Sequence, residues 1–434
     1  MRKQFLLMLV LCLTASLTWA ERIDVATARK VAGSVAQREG VTSGLRSASD
    51  LSLVYAAAPG QSGSALRSGT MEGSADYFVF NFPGEKGFAI VAGDDRVRPV
   101  LGYSDKGSFD PDKLPENLRG MLAYYQDQIT WANDKGIEAT PDIAAEWNQL
   151  MSGTALRAAG EKVLLETANW SQGEPYNRQT PTIKGKHTVT GCVATAMGII
   201  MKYHEYPIRA VNPPEYNYYS IDGYYSGHKL SYGDYDWGNM LSSYKGGGYN
   251  DAQADAVAEL LYHCGANVEM NYSVSASGTQ TSRVALALSE VFGYSPSIRY
   301  LQKEAYRWDE WKDMLRKELD LGYPMIYDGQ SSSGGHAFVC DGYSEDGTFH
   351  INWGWDGYSN GYFVLSTLDA EGDGNGYSDG QAVLLEIRPE QSGEEYFIRP
   401  YLIRANYSKS GNNASVSFDM KYYALKDHVF YLEL

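Results

Sequence analysis

The chain reads as an α+β protein, and three features of its layout say so. Residues 192–321 hold four stretches with helical apolar spacing, at 192–205, 251–264, 281–292 and 308–321. Strand-length apolar runs then follow at 323–328, 336–343, 348–353 and 361–365, so helices and strands are segregated rather than alternating. Ahead of both, a separate unit over roughly 21–150 combines helices with a hairpin. At 434 residues the chain exceeds one ordinary core, and two or three domains are expected.

The elements are legible in order. Arg2 and Lys3 precede the apolar run "FLLMLVLCLTASLTWA", which closes with Thr18 and Ala20 at small-residue cleavage positions. The run is too short to span a bilayer and no second candidate follows, so residues 1–20 are expected to be a secretory signal peptide, with no transmembrane span in the chain. The mature protein is then secreted or displayed at the cell surface. "RIDVATARKVAGSVAQRE" predicts a helix, followed by a loose Ser/Gly/Ala stretch through residue 76. "ADYFVFNFPGEKGFAIVAGDD" predicts two strands around a Pro-Gly/Lys-Gly turn. "ENLRGMLAYYQDQITWAND" predicts a helix with Leu118, Met121, Leu122, Tyr125 and Ile129 on one face. This first unit holds no cysteine or histidine and is poorly equipped for nucleophilic or metal chemistry. "MSGTALRAAGEKVLL", residues 151–165, reads as a flexible joint open to proteolysis. The alternation in the last forty-odd residues predicts further strands.

Composition narrows the function. The formal net charge is −16, with no long basic run, which excludes nucleic acid or an anionic membrane surface as the main partner. Four cysteines are present; Cys12 departs with the signal, leaving Cys192, Cys264 and Cys340. An odd number in an exported protein means at least one free thiol. Cys192 follows Gly191 and opens the periodic run Val193, Met197, Ile200, Met201, His204 that Pro207 ends, which sets it in the first turn of a helix. Unpaired backbone N–H groups and the helix dipole there favour a thiolate. On position alone a nucleophile and a packed structural thiol are both open. Cys264 ends a helix with Gly265 as its cap, and Cys340 shares a strand face with Phe338; both read as core.

A thiol nucleophile needs a base. His336 opens a strand directly after Gly334-Gly335, and "HINWGW" follows with Asn352, whose side-chain oxygen could accept from the imidazole. Trp353 and Trp355 could shield that bond from water. His336 lies 144 positions after Cys192 and Asn352 lies 160 after it, an order and spacing that fit the papain-like arrangement. In "NWSQGEPYN", Gln172 offers an amide that could pair with the Cys192 N–H to hold an oxyanion.

These pieces resemble the streptopain-like family of papain-fold cysteine peptidases. The resemblance rests on "WSQGEPYN", "GCVATAMGIIMKYHEYP", "GGHAFVCDGY" and "HINWGWDGYSNGYF", together with "YFVFNFPGEKGFAIVAGDDRVRPVLGYS", which is similar to the family propeptide. It implies a papain-like two-lobe catalytic domain, a helical lobe plus an antiparallel β lobe, over 156–390. An α+β inhibitory propeptide domain would occupy 21–155. Residues 391–434 exceed the minimal family core and are expected to form a β-rich C-terminal extension, with truncation of the chain left open. Cys192 is then the nucleophile, His336 its ion-pair partner and proton shuttle, and Asn352 the residue that orients the histidine. Gln172 completes the oxyanion hole and Trp353 covers the Asn–His bond. The implied activity is that of a secreted endopeptidase made as a latent zymogen, acting on protein or peptide substrates with an apolar side chain one residue ahead of the cleaved position. The propeptide would act as its intramolecular inhibitor. Other readings are a papain-fold amidase or transglutaminase, and a catalytically silent adhesion protein. No cofactor is expected. "DAEGDGNGYSDG" spaces Asp369, Glu371, Asp373 and Asn375 like a calcium loop, but Gly380 stands where glutamate is needed, so a mobile loop and no metal is the expectation.

Overall fold

Asp24 caps the first helix, α1 (Val25–Arg38), by accepting from the Thr27 N–H at 2.7 Å. Ala28, Val31, Ala32, Val35 and Ala36 form its buried face, small enough to lie close on a sheet. That sheet begins with β1 (Ser52–Ala56), β2 (Tyr77–Asn81), β3 (Phe88–Ala92) and β4 (Val100–Ser104), each antiparallel to the next. The computed structural model describes residues 22–41, 47–61, 74–151, 162–331, 334–368, 380–390, 401–410 and 413–421. The signal peptide, most of the 151–165 joint and the glycine-rich loop 369–379 lie outside them.

Two helices follow, α2 (Glu116–Lys135) and α3 (Pro141–Met151), and then β5 (Lys162–Leu164). Next come the short pair β6 (Thr182–Ile183) and β7 (Lys186–His187), the cysteine helix α4 (Cys192–His204), and a hairpin of β8 (Asn217–Ile221) and β9 (Tyr224–His228). After α5 (Asp251–Asn267) the chain forms β10 (Asn271–Tyr272), α6 (Arg283–Leu286), β11 (Arg299–Gln302) and α7 (Trp308–Asp320). The strand run is β12 (Met325–Ser331), β13 (Gly334–Ser344), β14 (Phe349–Asn352), β15 (Gly361–Phe363) and β16 (Ala382–Leu385). A two-stranded antiparallel sheet, β17 (Tyr401–Ser410) with β18 (Asn413–Lys421), closes the described chain.

One sheet crosses the joint between the units. Its order is β1-β2-β3-β4-β15-β14-β13-β12-β16-β11, with β5 pairing β13 at residues 342–344 beyond the end of β12. The seam is β4 against β15, where Tyr103 faces Tyr362 and Gly102 faces Phe363. The hydrophobic core follows the sheet: Val31, Phe78, Ile90, Leu118 and Tyr125 join Trp311, Phe338, Phe349 and Phe363 in one cluster. A second cluster holds the helical lobe, with Met197, Ile200 and Met201 of α4 against Val257, Leu261 and Cys264 of α5, and Val339 of β13 beneath.

α2 explains why the units fuse. Its expected stripe is buried, and so are Asn117 and Gln128, because a second face meets the catalytic side, while Gln126 is buried toward the first unit, donating to the Ala58 carbonyl and to Asp76 Oδ2. Tyr125 Oη donates to the carbonyl of Val364, Gln128 Oε1 accepts from Thr367 N–H at 2.9 Å, and Gln381 Nε2 donates to Tyr124 Oη at 2.9 Å. Buried polar groups of this kind are stable only when paired, so α2 is tied in register to both halves.

Four expectations need correcting. The stretch read as loose through residue 76 contains β1, since "SLVYA" supplies enough apolar surface to add a strand beside β2. The joint ends earlier than expected, because Lys162–Leu164 form β5, hydrogen-bonded to β13. Gly265 does not cap α5, which runs to Asn267; a Cβ there would lie 2.2 Å from Tyr272 Oη, so the glycine makes room for that ring. The helix expected over 281–292 is one α turn followed by a π turn over Ala287–Val291.

Candidate active site

Gly191 precedes α4 with φ 87°, a left-handed conformation that favours glycine, and a Cβ there would sit 2.8–2.9 Å from Met270 and the Ser277 carbonyl. That turn delivers Cys192 as the first helical residue, where backbone N–H groups have no intrahelical acceptor. The Cys192 thiol receives the backbone N–H groups of Ala337 and Val193. Burial nonetheless pushes its pKa up, and the negative charge of Glu116 adds to the rise. Cys264 and Cys340 are fully buried, with their thiols pushed up by burial as well.

His336 stands on β13 opposite Gly329 of β12. Burial pushes its pKa down, Glu116 offsets part of that, and its Nε2 is buried without a hydrogen-bond partner. Thiol and imidazole are thus both held toward their neutral forms. The two residues line one cleft of about 1100 Å³, whose other walls include Gln172, Ser277, Asp328 and Trp355. Gln172 is anchored where its carbonyl accepts from Thr190 N–H at 3.1 Å, two residues before Cys192. Trp355 presents an indole Nε1 that is buried without a partner.

Asn352 does not meet His336 in this form of the molecule. It lies opposite Val339 on β13; its Nδ2 donates to Thr167 Oγ1 at 3.0 Å and to the Ala168 carbonyl at 2.9 Å, and its Oδ1 accepts from Gly354 N–H at 3.1 Å. Trp353 is buried against Phe338 and Phe363, with Nε1 donating to the Ser359 carbonyl at 2.9 Å.

A residue that sequence reasoning missed stands beside them. Asn117, at the start of α2, reaches into the cleft and donates to the carbonyls of Ala337 at 2.7 Å and Trp353 at 3.2 Å. It bridges β13 to the segment after β14, while His336 borders a small cavity under α2 with Met121, Tyr124 and Phe338. Asp112, Lys113, Leu114 and Glu116 line the same cleft. A signal was present: Asn117, Met121, Tyr124 and Gln128 form a second helical stripe beside the apolar one. Among the described residues no group of three or more His, Cys, Asp or Glu side chains is placed to hold a metal ion, and no helix is long and apolar enough to cross a membrane.

The chain is similar to known proteins. The peptidase C10 family matches residues 170–363, and the Spi protease inhibitor family matches residues 20–129. Streptopain of Streptococcus pyogenes is 35% identical over 344 residues, which is 76% of this chain and 81% of that protein. The thiol protease/hemagglutinin PrtT of Porphyromonas gingivalis is 39% identical over 299 residues, 68% of this chain but 34% of the relative, so the match spans about a third of that longer protein. A fragment of Prevotella intermedia prointerpain A superposes with a TM-score of 0.60 at 27% identity, covering 79% of this chain and 100% of that one. With streptopain matched over most of its length and a Spi-type inhibitor region ahead of the peptidase region, the chain belongs to the peptidase C10 family, the streptopain-like cysteine peptidases.

Proposed function

We propose that this chain is the latent precursor of an exported cysteine endopeptidase. The observation that carries the reading is a single cleft lined by a helix-start cysteine and a strand-borne histidine and filled at its rim by residues 112–117 of the inhibitor region. In the released enzyme His336 moves from beneath α2 to the thiol, takes its proton, and leaves a thiolate–imidazolium pair. Sγ attacks the peptide carbonyl, and the oxyanion is held by the Cys192 N–H and the Gln172 side-chain amide. His336 gives the proton to the leaving amine; a water activated by the same imidazole then hydrolyses the thioester. Asn352 Oδ1 has a second lone pair beyond the one used by Gly354 and receives the imidazole N–H once His336 has moved, with Trp353 packed over them. Export rests on residues 1–20, and maturation on a cut between the units within 152–161.

Casein digestion by the shortened form, with and without a thiol alkylator, tests the reading. Digestion abolished by alkylation is expected; digestion that persists after complete alkylation of Cys192 overturns it.

A further inference from the structure

Asp328 is an acid that the mechanism leaves unused. It stands on β12 directly opposite Ala337 of β13, so the two side chains share a face of the sheet. Ala337 adjoins His336, and its N–H is the one donated to the Cys192 thiol. Asp328 therefore lies on the wall of the cleft beside the reacting atoms. Its residue is only 9% exposed, its Oδ2 accepts from Tyr300 Oη at 3.0 Å, and Thr281 also hydrogen-bonds to it. Among the described residues no cation pairs with it. Burial holds its pKa up at about 6, and the charge of Glu304 acts in the same direction. Lys113, a cation at the rim, is engaged with Asp110 at 3.2 Å and belongs to the inhibitor region.

A carboxyl in this setting could be a strut that ties Tyr300 and Thr281 to the sheet. An asparagine would serve that purpose without the cost of a buried acid. What the strut reading leaves unexplained is an acid on the cleft face, one cross-strand step from Ala337, the neighbour of His336, with Glu304 reinforcing its field and uncharged Ser282 and Gln302 lining the same cleft. A buried carboxylate without a cation gains most from one supplied from outside. The Tyr300 ring offers a surface for an aliphatic stem, the contact a long basic side chain uses.

We propose that Asp328 anchors a specificity subsite for a basic side chain, lysine or arginine, of the substrate. Cross-strand neighbours are about 5 Å apart and a strand advances about 3.3 Å per residue, which puts that side chain one or two residues from the cleaved bond. The proposal rests on the proteolytic reading above and departs from the apolar preference that the family resemblance implies.

Fluorogenic peptide libraries scanned position by position with the shortened enzyme test it. At one position within two residues of the cut, lysine should exceed acetyl-lysine in kcat/KM by roughly tenfold or more. Asp328→Asn, with active enzyme counted by thiol titration, should lose most of that ratio. Equal rates for lysine and acetyl-lysine at every position overturn the subsite without any variant. So does an Asp328→Asn enzyme that keeps the wild-type ratio. Thiol-dependent hydrolysis with a flat charge profile overturns the subsite alone, whereas a wild-type enzyme that hydrolyses no peptide overturns the proteolytic reading with it.

Discussion

Cys192 is under opposed influences: the Ala337 and Val193 N–H groups pull its pKa down, while burial and Glu116 push it up and win. In the proposed maturation Glu116 leaves with the inhibitor region, as do the other cleft-lining residues 112–114 and Asn117. Iodoacetamide should therefore modify the precursor slowly below pH 9, and the shortened form well below the ordinary thiol range near 8.5. His336→Ala should move the profile of the shortened form only; identical profiles for precursor and shortened wild type would show that the cover does not act on the thiol. Cys192→Ala should abolish hydrolysis and leave the fold intact. Cys264→Ala and Cys340→Ala should remain active but lose about 1–2 kcal/mol of stability to the cavity each leaves, read from urea denaturation. That Cys192 and His336 line one cleft was legible from sequence because each lies in a recognisable element, a helix start and a strand. The partners of Asn352 were not, since Thr167 is 185 positions away and only the folded sheet brings them together.

At the scale of the element, the proposed latency makes α2 the latch. A single side chain, Asn117, satisfies two buried carbonyls on different segments of the catalytic side. Asn117→Ala leaves both without a donor, a cost of about 1–3 kcal/mol in docking the inhibitor region. The precursor carrying it should shorten faster on a gel time course and bind an active-site alkylator sooner. Shortening at the wild-type rate would mean that the helix, not this residue, holds the cleft closed. The apolar stripe of α2 was readable because one face of a helix against one sheet gives a simple period. Asn117 and Gln128 were not, because a helix buried between two partners uses polar residues wherever the second partner offers a carbonyl or an amide. β5 was hidden for a related reason: three residues of modest β propensity become a strand once β13 offers an open edge.

Across the whole molecule, two buried acids couple stability to pH. Glu318 of α7 accepts from the Glu386 N–H and has its pKa raised from 4.5 to about 7, and that of Asp328 rises to about 6, both through burial. Each holds its proton more tightly folded than unfolded, so the folded state binds more protons between about pH 4.5 and 7. Their contribution is therefore fully present below that window and is lost as pH rises through it. Glu318→Gln should flatten this slope and raise stability at pH 8 by roughly 2–3 kcal/mol. A melting temperature that still falls from pH 5 to 7 as steeply as in the wild type would exclude Glu318 as the source. The seam of the large sheet has a further effect. Cutting the joint severs a peptide bond but leaves the β4–β15 ladder, the Arg38–Asp346 ion pair at 2.8 Å and the shared core in place. The nicked protein is then a tight two-chain complex, and activity should lag behind nicking until the fragment is itself digested. Once stripped, β15 becomes a bare sheet border carrying Tyr362 and Phe363, a template on which another extended chain can crystallise strand by strand. The proposed maturation would thus exchange a blocked cleft for an adhesive rim, and light scattering should rise with the loss of the fragment rather than with the first cut.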